Sequence, residues 1–140
     1  MSFLDPRPAI ILTGADADRL SALAETARSR QPDVADMLEA EVARAAIVAP
    51  ADLPPDTVTM GSHVTFGYDH ARRSHWLTLV YPAEADLDKA KISVATPVGA
   101  ALIGLREGQS IAWNTASGAV RRITLHKDAY QPERAGRYDM

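Results

Sequence analysis

The chain has no cysteine among its 140 residues, which removes disulfide cross-links, thiolate metal sites and a cysteine nucleophile at one stroke. Nothing then argues for an oxidising compartment, and the cytoplasm is the expected location. Aromatic residues are scarce at 6%, so an aromatic-lined pocket is hard to assemble. Long apolar runs are also missing. The stretch from Ala9 to Leu12 is far shorter than a signal-peptide core or the roughly 20 residues of a membrane span. Positive charge is not in excess: the formal net charge is −3 and the isoelectric point is near 5.7. Without a global positive field, direct sequence-specific nucleic-acid binding is not expected.

What is present is an ordinary globular balance, 46% hydrophobic and 24% charged, enough for one modest core rather than two. Thr13, three residues before Asp16, is placed to cap a helix that the pattern predicts as far as Arg30. Within it Leu20, Leu23, Ala24 and Ala27 make one narrow apolar stripe, which calls for one partner helix. Gln31-Pro32 breaks the run, because proline fits only the first turn of a helix. A second helix is predicted over about Asp33 to Val48, with Val34, Leu38, Val42 and Ala45 on one side. Two such arms of about 16 residues form an antiparallel hairpin roughly 24 Å long that must lean on something else.

The segment from Pro50 to Asp56 contains Pro50, Pro54 and Pro55 and reads as a stiff junction. Beyond it the residues suit strands at Val58 to Met60, His63 to Tyr68, Trp76 to Tyr81, Ile92 to Val94, Ile111 to Trp113 and Val120 to His126. Pro97 to Leu105 reads as one short helix with proline at its start and Gly104 near its end. A curled antiparallel sheet packed on that helix is the simplest arrangement, an α+β fold.

Few residues carry chemistry. Asp33 and Asp36 share a helix face at the hairpin tip and together offer oxygen ligands to a divalent cation. Their plainer reading is a helix start, where carboxylates meet the exposed amides and the positive end of the dipole. His63, His70, His75 and His126 form no helical i, i+4 pair, so no metal site is expected. The pairs Arg72-Arg73, Lys89 with Lys91, and Arg121-Arg122 read first as solvated charges and second as contacts for an acidic partner. Trp76, Trp113, Phe66 and Leu102 are expected in the core, and Tyr81 partly exposed. A Ser/His/Asp triad, a phosphate-binding glycine loop and a nucleophile elbow are absent as motifs.

From Glu84-Ala85-Asp86, through Lys91-Ile92-Ser93-Val94-Ala95-Thr96-Pro97-Val98-Gly99-Ala100-Ala101-Leu102-Ile103-Gly104, to Glu107-Gly108-Gln109-Ser110-Ile111, the chain resembles the C-terminal domain of the GreA/GreB transcript-cleavage factors. Gln109 stands where that family usually has aspartate. The resemblance implies an FKBP-like fold for about Thr57 to Lys127, with Ser93, Pro97, Gly99, Ala101, Leu102, Gly104 and Gly108 in structural roles. Within the superfamily, Ile10-Ile11-Leu12, Asp56 to Met60, Thr78 to Ala83, and Tyr130 to Glu133 with Gly136-Arg137-Tyr138 are similar to the regulators of nucleoside diphosphate kinase (the Rnk family), whose coiled coil is truncated. That likeness implies binding to RNA polymerase, competition with factors that enter its secondary channel, and an effect on nucleotide metabolism.

The expectation is therefore a monomeric, non-catalytic RNA polymerase-binding factor with no cofactor and no metal. Its hairpin and arm occupy residues 1–50, the junction residues 51–56, and the Gre-like domain residues 57–140. The expected docking surface comprises Tyr81, Pro82, Glu84, Asp86 and Lys91. Two enzymatic alternatives stand beside it. One is a transcript-cleavage factor using the Asp33/Asp36 tip, although Met37 replaces the family's asparagine. The other is a peptidyl-prolyl isomerase, suggested by the fold alone.

Overall fold

The computed structural model describes residues 2–69, 73–115 and 117–136. His70, Arg72, Arg137 and Tyr138 lie outside the described residues. The Thr13 hydroxyl accepts from the Asp16 amide at 3.2 Å and so opens helix α1 (Gly14–Ala27), because that amide has no partner within the helix. After a turn, Pro32 starts helix α2 (Pro32–Arg44). Leu20 and Ala24 of α1 and Val34 and Leu38 of α2 are buried, the expected hairpin seam. In addition α2 buries Ala35, Met37 and Glu41 and packs on the short helix further along the chain. Its apolar surface is therefore wider than a single seam.

Helix α2 stops at Arg44 rather than continuing to Val48. Ala46–Val48 instead form strand β3, which pairs in parallel with β2 (Ile11–Thr13). The β-branched Ile47 and Val48 favour extended backbone, and β2 offers a ladder that solvent-exposed helix ends lack. The arms are 14 and 13 residues long, so each spans only about 20 Å.

The main sheet contains β1 (Ser2–Leu4), β4 (His63–Tyr68), β5 (His75–Val80), β6 (Lys91–Ser93), β7 (Ser110–Asn114) and β8 (Val120–Tyr130). Their order is β1-β7-β8-β4-β5-β6. All neighbours are antiparallel except β5 and β6, which run parallel, so the sheet is mixed rather than wholly antiparallel. Strand β1, unforeseen in the sequence, brings the N-terminal arm onto β7 and forms that edge of the sheet. Val58 to Met60 do not form a strand. Their partner segment lies just past a helix end, and the Val58 amide and carbonyl bond Leu105 O and Gly104 N at 2.8 and 2.9 Å without extending into a ladder.

Helix α3 (Pro97–Leu102) ends three residues before the expected Leu105. It is fastened by Thr96, whose hydroxyl donates to Ser93 O at 2.7 Å and accepts from Gly99 N at 3.1 Å. A Cβ on Gly99 would lie 2.7 Å from Val94 Cα, so only glycine lets α3 sit this close to the chain leaving β6. Gly104 has φ +82° and turns the chain out of the helix, a conformation that costs side-chain-bearing residues energy.

One buried cluster runs from Leu20 and Leu38 in the hairpin through Leu102 and Ile103 to Leu79 and Ile123 in the sheet. The α+β class and the single core agree with the sequence. Trp113, Phe66 and Leu102 are buried as expected, but Trp76 is 65% exposed. Strand alternation gives the reason: Leu77 and Leu79 point into the core, which turns Trp76 to the other side. No helix among the described residues is long and apolar enough to cross a membrane.

Candidate functional site

At the hairpin tip Asp33 and Asp36 are both exposed, but the helix start is not capped as expected. Gln31 holds the cap position without a side-chain bond, and Asp33 stands in the first turn. Asp36 is drawn to the opposite helix, where Arg28 binds it at 2.9 Å and Glu39 at 2.6 Å. Arg28 thus ties the two arms together with a carboxylate that metal binding would need. Among the described residues no group of three or more His, Asp or Glu is arranged to hold a metal ion.

The histidines sit in separate surroundings. His63 meets the Tyr130 ring at 5.1 Å, His75 stacks on Phe66 at 5.6 Å, and His126 Nδ1 lies 3.1 Å from Ser74 Oγ. Arg121 lies over the Tyr68 ring at 4.2 Å and near Asp69 at 3.7 Å, so this basic residue braces the sheet end.

The segment between β5 and β6 gathers the expected docking residues. Pro82–Glu84 and Leu87–Lys89 form two short 3-10 turns. Asp86 and Lys91 close the second by exchanging both backbone bonds at 2.9 Å, and the Asp86 carboxylate accepts from Asp88 N at 3.1 Å. The turn inside this closure holds Leu87 outward, 83% exposed. Two depressions adjoin the segment. One, of about 240 Å³, is bounded by Arg19, Met60, Gly61, Tyr81 and Glu84. The other, of about 260 Å³, is lined by Phe66, Tyr68, His75, Trp76, Leu87 and Ile92 among others. The aromatic lining that composition argued against is thus assembled, because β4 and β5 place Phe66, Tyr68 and His75 side by side within 5.1 to 5.6 Å of one another.

Tyr81 is half-buried, as expected, and reaches the joint between hairpin and sheet. Its hydroxyl donates to Asp16 Oδ1 at 3.5 Å, while Asp16 Oδ2 accepts from Met60 N at 3.4 Å. Asp16 is 2% exposed. Burial, and then the Glu133 carboxylate, push its pKa up to about 6 against the opposing Met60 amide and Arg19. Burial and the Asp16 charge together also push the Tyr81 phenol up. Glu133 in turn accepts from Thr59 Oγ1 at 2.7 Å, and Ser62 Oγ accepts from Thr59 N at 2.9 Å.

The motif residues serve the scaffold. Ser93 Oγ accepts from Ala95 N at 2.9 Å, Pro97 begins α3, Ala101 and Leu102 are fully buried, and Gly108 turns with φ +85°. Gln109 Oε1 accepts from Arg106 N at 2.8 Å.

Comparison with known proteins places these features. The family description "Transcription elongation factor, GreA/GreB, C-term" matches residues 53–127, and "Rnk N-terminus" matches residues 8–48. The "Regulator of nucleoside diphosphate kinase" of Escherichia coli K12 is 41% identical over 132 residues, covering 94% of this chain and 97% of that protein. The chain belongs to the Rnk family of the GreA/GreB superfamily. A solved "Prokaryotic transcription elongation factor GreA/GreB from Nitrosomonas europaea" superposes with a TM-score of 0.69 at 41% identity, covering 86% of this chain and 99% of that one. The "Transcription elongation factor GreA" of Rhodopseudomonas palustris TIE-1 is 40% identical over 83 residues, covering 59% of this chain and 52% of that protein.

In this Rnk-family chain the sequence reading missed Asp16, Thr59, Glu133, Trp76 and Leu87. Asp16 was visible as a helix-start residue, but its burial depends on Met60 and Tyr81, which lie far along the chain. The exposed Leu87 did leave a signal, an isolated leucine between Asp86 and Asp88 in a polar turn.

Proposed function

We propose that the chain is a regulatory factor that binds RNA polymerase near the secondary channel and competes there with Gre-type factors without cleaving RNA. The observation that carries this reading is the segment from Tyr81 to Lys91. It holds Leu87 out beside the aromatic groove with Trp76 at its rim, an apolar feature flanked by Glu84, Asp86 and Lys91. Exposed large apolar groups framed by charge are the usual composition of a partner surface. The expected docking residues Tyr81, Pro82, Glu84, Asp86 and Lys91 belong to this same segment. The hairpin, only about 20 Å long, occupies the channel mouth rather than its interior, and Asp36 is engaged by Arg28.

The test is a competition assay with purified core polymerase. The chain displaces a bound Gre factor, and Leu87→Asp or Trp76→Ala weakens binding about tenfold or more, as for interface anchors, while leaving the circular dichroism spectrum unchanged. No binding and no displacement by the wild-type chain would sink the reading. In a backtracked elongation complex no RNA shortening is expected; shortening that disappears in Asp36→Ala would instead establish a cleavage factor.

The aromatic groove keeps the isomerase as a second reading. A proline-peptide isomerisation rate equal to background removes it.

A further inference from the structure

The last described residues grip the junction that joins the hairpin to the sheet. Gln131 Nε2 donates to Pro54 O and Thr57 O at 2.9 and 2.7 Å. Glu133 takes the Thr59 hydroxyl at 2.7 Å, and Arg134 Nη1 donates to Pro55 O at 2.8 Å. Every one of these partners lies in the short stretch between Pro54 and Thr59. The turn is tied back on itself by Ala135 N donating to Gln131 O at 3.2 Å.

At the root of this turn, in the last residues of β8, stands Asp128, 1% exposed. Neither of its carboxylate oxygens has a hydrogen-bond partner among the described residues, and the same holds for the buried Gln131 Oε1 and Thr57 Oγ1. Its surroundings are wrong for a charge. Glu107 lies close enough to accept from Asp128 N at 3.1 Å, and Glu133 adds a second carboxylate. The offsetting cation among the described residues, Arg134, directs its guanidinium to the backbone oxygens of Pro55 and Asp128. A neutral carboxyl suits the place, because it brings no further charge beside these carboxylates.

We propose that residues 131–136 form a proton-held clasp on the hairpin–sheet junction, closed by the neutral carboxyl of Asp128 and loosened when that proton is lost. Burial first, then Glu107 and Glu133, raise the Asp128 pKa to about 8, against the opposing Arg134. In an opened clasp the group returns to its ordinary value of 3.8. The closed form therefore holds the extra proton throughout the interval between these values. Its advantage falls as pH rises, by about tenfold in the opening equilibrium per pH unit, and levels off near the upper value. His63, packed against Tyr130 at the end of β8, is retained in the control variant.

Hydrogen exchange of the full chain, read by mass spectrometry on peptides covering residues 53–60 and 128–136 and corrected for intrinsic rates, tests the clasp at pH 6 and pH 8. Protection in wild type is expected to fall about tenfold per pH unit, and in Asp128→Asn to stay constant. Equal protection at both pH values in wild type, or an equal loss in the variant, overturns the proposal. Carboxyl-carbon NMR of the wild-type protein gives a measurement independent of any variant. An aspartate titrating near 8 supports the clasp, and all aspartates titrating below about 6.5 overturn it.

Discussion

Single residues set the tightest limits on this fold, and Gly99 sets the firmest. The hydroxyl of Thr96 and the backbone of Ser93 and Val94 enclose it so closely that Gly99→Ala must push α3 away from the chain leaving β6. Overpacking of this kind costs about 1–3 kcal/mol, and urea denaturation of Gly99→Ala against wild type should show a loss of that size with an unchanged m-value. Leu38, with no exposed surface, should lose about 2–5 kcal/mol on truncation to alanine, measured the same way. Asp16 makes a different prediction. Its folded pKa, about 6, lies above the unfolded 3.8, so the folded state holds a proton that the unfolded chain releases. Stability from this group is fully present below the lower value and is lost as pH rises to the upper one. Thermal melts between pH 4 and 6 should show that decline, and Asp16→Asn should reduce its slope. The exposed Trp76 was misplaced in the core at this scale, because hydrophobicity does not say which side of a strand a residue faces.

Among the elements, the hairpin was readable in outline. The Gln31-Pro32 break and the two leucine-bearing stripes suffice for paired helices, since they depend only on local periodicity. The end of α2 was not readable in the same way. Ala46 to Val48 continue an apolar pattern that suits either a helix or a strand, and the parallel ladder with β2, some 35 residues earlier, decides between them. The same holds for β1 and for the parallel pairing of β6 with β5, which arise from distant partners. The tip also behaves as an element: Arg28 joins α1 to Asp36 and Glu39 of α2. Exposed ion pairs contribute little, so Arg28→Ala should leave the thermal unfolding midpoint nearly unchanged. That variant frees Asp36, and under the proposed function it too is expected to shorten no RNA in a backtracked complex.

Across the whole molecule, the hairpin and the sheet share one core rather than meeting as two bodies. Leu20 and Leu38 pack in the same cluster as Leu102, Ile103 and Leu79, and Asp16 fastens the base of α1 to Met60 and Tyr81. Under the proposed function this rigidity holds a short hairpin at a set angle to the segment bearing Leu87, which lets one factor cover the mouth of a channel while gripping its rim. The sequence by itself determined what local rules reach: the folded α+β class, the Thr13 cap, the helix starting at Pro97, the Gre-like motif, and the absence of thiol chemistry. Only the tertiary structure decided what depends on residues far apart in the chain. It turned Trp76 and Leu87 outward, assembled Phe66, Tyr68 and His75 into one lining, and buried Asp16 and Asp128 among carboxylates. The physical reason is that periodicity and capping act over a few residues, whereas burial, and the pKa values that follow from it, are set by whichever distant segment closes over a side chain.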